Sequence, residues 1–210
     1  SFQGPTTVPL LPGDVGSSGC WWSNSGDSID ATLSHRVDLP RGSTASMDYE
    51  VWFEIEEDWD YVYVEVSVDG GENWMIIESP STSPENPIGN GFGPGYTGAS
   101  GGWLRESVDL SPFAGEDLWV RFQYVTDDAI NASGACFRDL SISFGNAAAG
   151  IAADDRGWKA QGFVFTNNVV RQGFQVQLIT TGKDPQVRQV PLDINNAGKL
   201  TVQPPEDREK

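Results

Sequence analysis

Five of the seven residues from Glu54 to Asp60 are acidic. The run Glu-Ile-Glu-Glu-Asp-Trp-Asp falls between two stretches of strand-like alternation, so the acids gather where the chain turns. Like charges this close repel unless a cation or solvent offsets them. A second acidic loop, Thr126-Asp127-Asp128-Ala129-Ile130-Asn131, precedes a strand that carries Asp139 on the face opposite Leu140 and Ile142. Hard oxygen donors of this sort suit Ca2+, which takes roughly six to eight oxygens from carboxylates, amides and carbonyls. The candidate ligands are Glu56, Glu57, Asp60, Asp127, Asp128 and Asp139. EF-hand spacing is absent, so a site has to be assembled across loops. Two other readings stay open. One is a solvated acidic rim, and the other is a pair of carboxylates flanking a glycosidic bond.

Other chemistry has little to stand on. No HExxH, GxSxG or Walker A pattern is present, and the one histidine, His35, has no nucleophile signature beside it. The two cysteines, Cys20 and Cys136, form no CxxC, so zinc is not expected in this chain. Each sits in strand-like aromatic sequence, which leaves two readings: buried free thiols, or a disulfide joining the first and last strands of one sandwich. A bridge would imply an oxidising, extracytoplasmic setting. Trp21, Trp22, Trp52, Trp59 and Trp103 do not all fit inward faces. Either they form a second small core under the loop 79–102, or Trp52, Trp59 and Trp103 offer a stacking surface to sugars or another domain.

The charge narrows the partners. The chain of 210 residues carries 30 Asp+Glu against 13 Lys+Arg, a net −17. Residues 1–145 hold 23 acids and five Arg, a net −18, and residues 146–210 are near neutral. Such a surface repels phosphate backbones and anionic lipid, so neither nucleic acid nor membrane is expected as a partner. No apolar run is long enough to span a bilayer. No basic segment followed by an apolar one opens the chain, and Ser1 to Leu11 reads as an extended strand and turn, as if it began inside a longer precursor. An aromatic fraction of 11% argues for a folded chain, and 24 Gly with 13 Pro for many turns.

The elements that must position these residues are strands. Residues 44–56 put Met47, Tyr49, Val51, Phe53 and Ile55 on one face, and residues 61–68 put Val62, Val64, Val66 and Val68 on one face. With a hairpin at Asp69-Gly70 and a returning strand from Glu72 to Ile77, these predict a three-stranded meander. The Gly- and Pro-rich segment 79–102 reads as a packed lid. Further strands are expected at Trp103–Leu110, Leu118–Val125 and Cys136–Phe144, with a turn at Ser111–Gly115. The spacing predicts an all-β fold, an antiparallel jelly-roll-like β-sandwich over 1–145. A junction at Asn146–Ala153 leads to a small β extension over 146–204 packed on the sandwich, with strands at Trp158–Thr166, Phe174–Thr181, Gln186–Asp193 and Lys199–Val202. Residues 205–210 read as a mobile tail.

Specific runs resemble a known family. They are Trp22-Ser23-Asn24-Ser25-Gly26-Asp27, Ile55 to Ser67, Asp69-Gly70-Gly71-Glu72-Asn73-Trp74, Gly95-Tyr96-Thr97-Gly98, Glu106 to Ser111, Arg121 to Asp128 and Asp139-Leu140-Ser141-Ile142. They resemble the region after the catalytic domain in the immune inhibitor A family of secreted bacterial metallopeptidases, and Trp158 to Leu178 looks like the strands that follow. The resemblance implies a MAM-like β-sandwich on the C-terminal side of a zinc protease. It also implies a structural Ca2+ near the first and last strands, which carries over to Asp139 and its neighbours. Cys20 and Cys136 depart from the family, where apolar residues are expected.

The resulting expectation is a secreted, non-catalytic accessory module that stabilises a metallopeptidase or positions its substrate, with structural Ca2+. Its expected partner is the upstream protease domain of the same precursor. The alternative is a carbohydrate- or cell-surface-binding module that docks a glycan or protein surface on exposed Trp residues.

Overall fold

A computed structural model describes residues 1–12, 15, 19–145 and 157–202. Its strands are β1 (Phe2–Gln3), β2 (Thr7–Pro9), β3 (Cys20–Trp22), β4 (Asp30–Asp38), β5 (Ala45–Glu54), β6 (Tyr61–Ser67), β7 (Met75–Ile76) and β8 (Leu104–Asp109). There follow β9 (Asp117–Val125), β10 (Gly134–Phe144), β11 (Lys159–Gln161), β12 (Val164–Thr166), β13 (Val169–Arg171), β14 (Val176–Thr180), β15 (Gln186–Val190) and β16 (Ala197–Gly198). One 3-10 turn, Ser111–Phe113, has Pro112 near its start, where a missing N–H costs nothing.

The chain divides into two compact units, Leu11–Asn168 and a smaller one made of Ser1–Leu10 with Val169–Lys210. The larger is a sandwich of two five-stranded antiparallel sheets, ordered β12-β3-β10-β5-β8 and β11-β4-β9-β6-β7. From β3 to β10 the chain passes between sheets in the jelly-roll manner, and each sheet's apolar rows meet in one core. Met47, Tyr49, Val51 and Phe53 of β5 and Phe137, Leu140 and Ile142 of β10 belong to that core. So do Leu33 and Val37 of β4, Val62, Val64 and Val66 of β6, and Leu118, Val120, Phe122 and Tyr124 of β9. His35 is part of this packing: its ring lies tilted beside Trp158 with centroids 5.1 Å apart, and its Nδ1, 2.9 Å from the Gly157 carbonyl, donates there.

Several expectations need correction. The three-stranded meander does not form, because β5 and β6 lie in different sheets. Alternation fixes which face a strand buries and says nothing about its neighbour. Only the hairpin from β6 to β7 survives, and the returning strand is Met75–Ile76 rather than Glu72–Ile77. Val68, expected inside, is 39% exposed because β6 ends at Ser67. The sandwich does not stop at 145: β11 pairs with β4 and β12 with β3, so the larger unit runs to Asn168. The expected junction at Asn146–Ala153 lies outside the described residues, as does the tail 205–210.

The smaller unit consists of two-stranded pairings, β1 with β16, β2 with β13 and β14 with β15. Of the expected strand Lys199–Val202, nothing forms; the pairing falls at Ala197–Gly198 instead. Asn196 ties this unit together by donating to the carbonyls of Pro5 and Gln172, both at 2.8 Å.

Candidate metal centre

The acidic run 54–60 is the arch that carries the chain from one sheet to the other. Three bonds fix its shape. The Ile55 amide donates to the Gly98 carbonyl at 2.8 Å, the Asp58 amide to Thr97 Oγ1 at 2.7 Å, and the Asp60 amide back to the Glu56 carbonyl at 3.1 Å. Asp58 sits in left-handed backbone, φ 67°, which a short polar side chain tolerates.

Strand register then decides which acid meets which. Tyr61 of β6 pairs with Val125 of β9, so Asp60, one residue before Tyr61, lies close to Asp127, two residues after Val125. The Asp127 amide donates to Asp60 Oδ1 at 3.1 Å, and the Tyr124 hydroxyl lies 3.5 Å from Asp60 Oδ2. The carboxylates of Glu56, Asp60 and Asp127 each bring an oxygen within 4.8 Å of the other two. Asp60 is buried, 1% exposed, and the other two are half-buried. Among the described residues no ion pair reaches any of the three.

The electrostatics follow from that geometry. Burial raises the Asp60 carboxyl above its ordinary value, and the charges of Asp127 and Glu56 push the same way against two backbone amides that lower it. Glu56 is also raised, by partial burial first and then by Asp127. Three oxygen-bearing acids without imidazole or thiolate match a hard cation such as Ca2+ or Mg2+ better than zinc. Nothing in the group resembles a nucleophile with its base.

The other sequence candidates are placed elsewhere. Glu57 and Asp128 are exposed beside the trio but not among it. Asp139 lies midway along β10 in a bulge where Asp139 and Leu140 face the single residue Tyr49. Its backbone is left-handed, φ 52°, and its neighbours across a shallow groove are Asp48, Glu50, Arg105 and Ser107. It is not brought to the trio. Thr97, which pins the arch, is not among the sequence candidates, since a lone hydroxyl in a glycine-rich run does not point to a ligand or to a catalytic group.

Cys20 and Cys136 are joined by a disulfide between β3 and β10, and both are fully buried. The bridge centres a second small core with Leu11, Val15 and Trp52, against which Trp22 and Trp103 pack. Trp52 is therefore not a surface platform; it is 7% exposed, because the disulfide and the segment around Leu11 cover the outer face of β5. Trp103 is partly buried and carries the Arg138 guanidinium over its ring at 3.9 Å. Of the three candidates for surface binding, only Trp59 is exposed, at 41%. The second small core exists, but it lies on the disulfide face rather than under the loop 79–102.

Comparison with known proteins agrees with this architecture. The family model for the immune inhibitor A-like MAM domain matches residues 10–168, nearly the extent of the larger unit. The pre-pro-metalloprotease PrtV of Vibrio cholerae serotype O1 (strain M66-2) is 32% identical over 122 residues, 58% of this chain and 13% of the relative. Immune inhibitor A of Bacillus thuringiensis subsp. alesti is 26% identical over 125 residues, 59% of this chain and 17% of the relative. Bacillopeptidase F of Bacillus subtilis (strain 168) is 26% identical over 107 residues, 51% of this chain and 6% of the relative. The matched part thus spans less than a fifth of each of these relatives. The chain belongs to the immune inhibitor A-like MAM domain family.

Proposed function

We propose that this MAM domain is a non-catalytic accessory module of a secreted metallopeptidase, which it stabilises or supplies with positioned substrate, and that it holds a structural Ca2+ at Glu56, Asp60 and Asp127. The accessory role is supported by relatives named as metalloproteases, of which this chain matches a small part, and by a sequence without a zinc-peptidase motif. A buried disulfide fits an oxidising compartment outside the cytoplasm.

The observation that carries the calcium reading is the buried Asp60 carboxylate with two more carboxylate oxygens within 4.8 Å and, among the described residues, no ion pair on any of them. A buried charge among like charges is costly unless something compensates it. A divalent cation there would tie the sheet-crossing arch to the loop after β9, and so act on stability rather than on chemistry. The trio supplies three ligands, and carbonyl or water oxygens would complete the shell.

Thermal unfolding tests the reading. Chelation with EDTA should lower the Tm and excess Ca2+ restore it, with a gain following RT ln(1 + [L]/Kd), about 2.7 kcal/mol at a hundredfold excess over Kd. An unchanged Tm would overturn the calcium assignment. Peptidase activity from residues 1–210 alone would overturn the accessory one. The rival glycan platform loses most of its support with Trp52 buried and Trp103 partly so.

A further inference from the structure

The segment after β7 is built to present one side chain. Tyr61 and Tyr63, on the outer face of β6, stack with ring centroids 5.8 Å apart and nearly parallel planes. The stretch Gly91-Phe92-Gly93-Pro94-Gly95 lies flat on them. A Cβ on Gly91 would meet Tyr61 Cζ at 3.2 Å, one on Gly93 would meet Ile76 Cδ1 at 3.1 Å, and one on Gly95 would meet Tyr63 Cε1 at 3.0 Å. A side chain at any of these three alternate positions would crowd its neighbours, so glycine suits the close approach to the sheet. Phe92, between two of them, sets its ring near that of Tyr63, with centroids 5.8 Å apart, and is still 73% exposed.

Hydrogen bonds hold this loop in shape. The Asn86 side chain brackets the loop, donating to the Gly91 carbonyl and accepting from the Gly89 and Gly91 amides, each at 2.9 Å. The Phe92 amide donates to the Tyr63 hydroxyl at 2.9 Å, and Ser83 and Gly95 bond each other in both directions. Ile88, 49% exposed, adds a second apolar group to the same loop. A lone exposed apolar residue needs no explanation. A large aromatic that rests on Tyr63 yet leaves most of its surface in solvent, on a loop with its backbone hydrogen-bonded in place, has the form of an interface anchor, because little ordering entropy remains to be lost on docking.

Charge selects the partner. Between Arg41 and Arg105 the sequence holds no basic residue, Glu85 is exposed in the loop and Glu78 just before it, and Arg121, on the neighbouring β9, is already paired with Glu65. An anionic lipid surface is disfavoured, and an apolar pocket rimmed by Lys or Arg is favoured. We propose that Phe92 is the anchor by which this domain docks into a basic-rimmed apolar pocket on the peptidase module of the same protein. This rests on the accessory reading above.

The test uses the whole product of the gene that encodes this chain, with p-benzoylphenylalanine in place of Phe92. Irradiation should give adducts that map to the peptidase module. Adducts confined to residues 1–202, adducts linking two copies, or no protein adduct, in a product that hydrolyses casein, would each overturn the proposal. A product that does not hydrolyse casein would instead strike the accessory reading beneath it. Phe92→Ser in residues 1–210 should leave the Tm within about 1–2 °C of the parent, as expected of an exposed position. A larger fall would mean that Phe92 serves the fold and not a partner.

Discussion

The amide of Asp127 donates to the carboxylate of Asp60 at 3.1 Å, joining the arch between the two sheets to the loop that follows β9. The same bond sets two acids of like charge side by side, with Glu56 the third. Asp60→Asn keeps an acceptor for the Asp127 amide while removing the buried charge. In EDTA at pH 7 the variant should melt higher than the parent, since the parent holds an ionised group whose carboxyl burial has raised. With Ca2+ present the order should reverse, because the variant loses a ligand. Melting curves of both proteins in EDTA and in Ca2+ check this. A variant that gains as much from Ca2+ as the parent would exclude Asp60 as a ligand.

The Asp69 carboxyl is shifted the opposite way from that of Asp60, and its shift gives a pH dependence. It closes the β6–β7 hairpin by accepting from the Asn73 amide and side chain, the Ser67 hydroxyl and the Glu72 amide. These bonds, the Asn73 amide foremost, hold its carboxyl at about 2, below the ordinary 3.8. A depressed folded-state value means that the contribution is present above the unfolded value and is lost as pH falls through the folded one. Denaturation midpoints should therefore separate the parent from Asp69→Ala fully above pH 4, and the gap should narrow between pH 4 and pH 2. A gap that is constant across that window would show that the ionised form is not what holds the turn.

Much of the core was legible in the sequence and the sheets were not. Met47 to Ile55 and Leu118 to Tyr124 alternate because each strand has one face in the core, and that survives any change of neighbour. Which strands pair depends on how the chain crosses between them, and the arch at 55–60 looks locally like a loose hairpin. β6 concealed a different fact. Its outer residues Tyr61 and Tyr63 are as buried as its valines, since a glycine-rich strip lies over them. At the candidate metal centre, acid density marked the segment that brings Glu56 and Asp60 to Asp127. It gave no means of choosing Asp60 over Glu57, a choice made by the Tyr61–Val125 register. Asp139 was a candidate both as an acid on the strand after the second acidic loop and by resemblance, and the bulge in β10 holds it beside Asp48 and Glu50.

Trp52 and Trp59 differ by seven positions and should differ greatly in cost. Trp52 lies against the disulfide with Leu11 and Val15, and Trp59 tops the arch in solvent. Trp52→Ala should lose about 3–5 kcal/mol, the range for truncating a large buried aromatic. Trp59→Ala should stay within about 0.5 kcal/mol. Urea denaturation of the two variants measures both. Comparable losses would contradict the second small core.

The bridge between Cys20 and Cys136 closes a loop with a sequence separation of 116 residues. On the chain-entropy account, so long a loop gives a stabilisation of about 4–5 kcal/mol, most of it from restricting the unfolded chain. Both sulfurs lie under Trp52, Leu11 and Val15, so a reductant should reach them only when this part of the sandwich opens. Two outcomes follow. The double variant Cys20→Ser, Cys136→Ser should fold with a stability lower by about that amount, plus a further cost for two hydroxyls in an apolar setting. The parent should show no free thiol when denatured without reductant, and in native buffer dithiothreitol should reduce it at a rate that rises with urea. Fast reduction independent of urea would mean that the disulfide face is open, and with it the burial of Trp52 would fall.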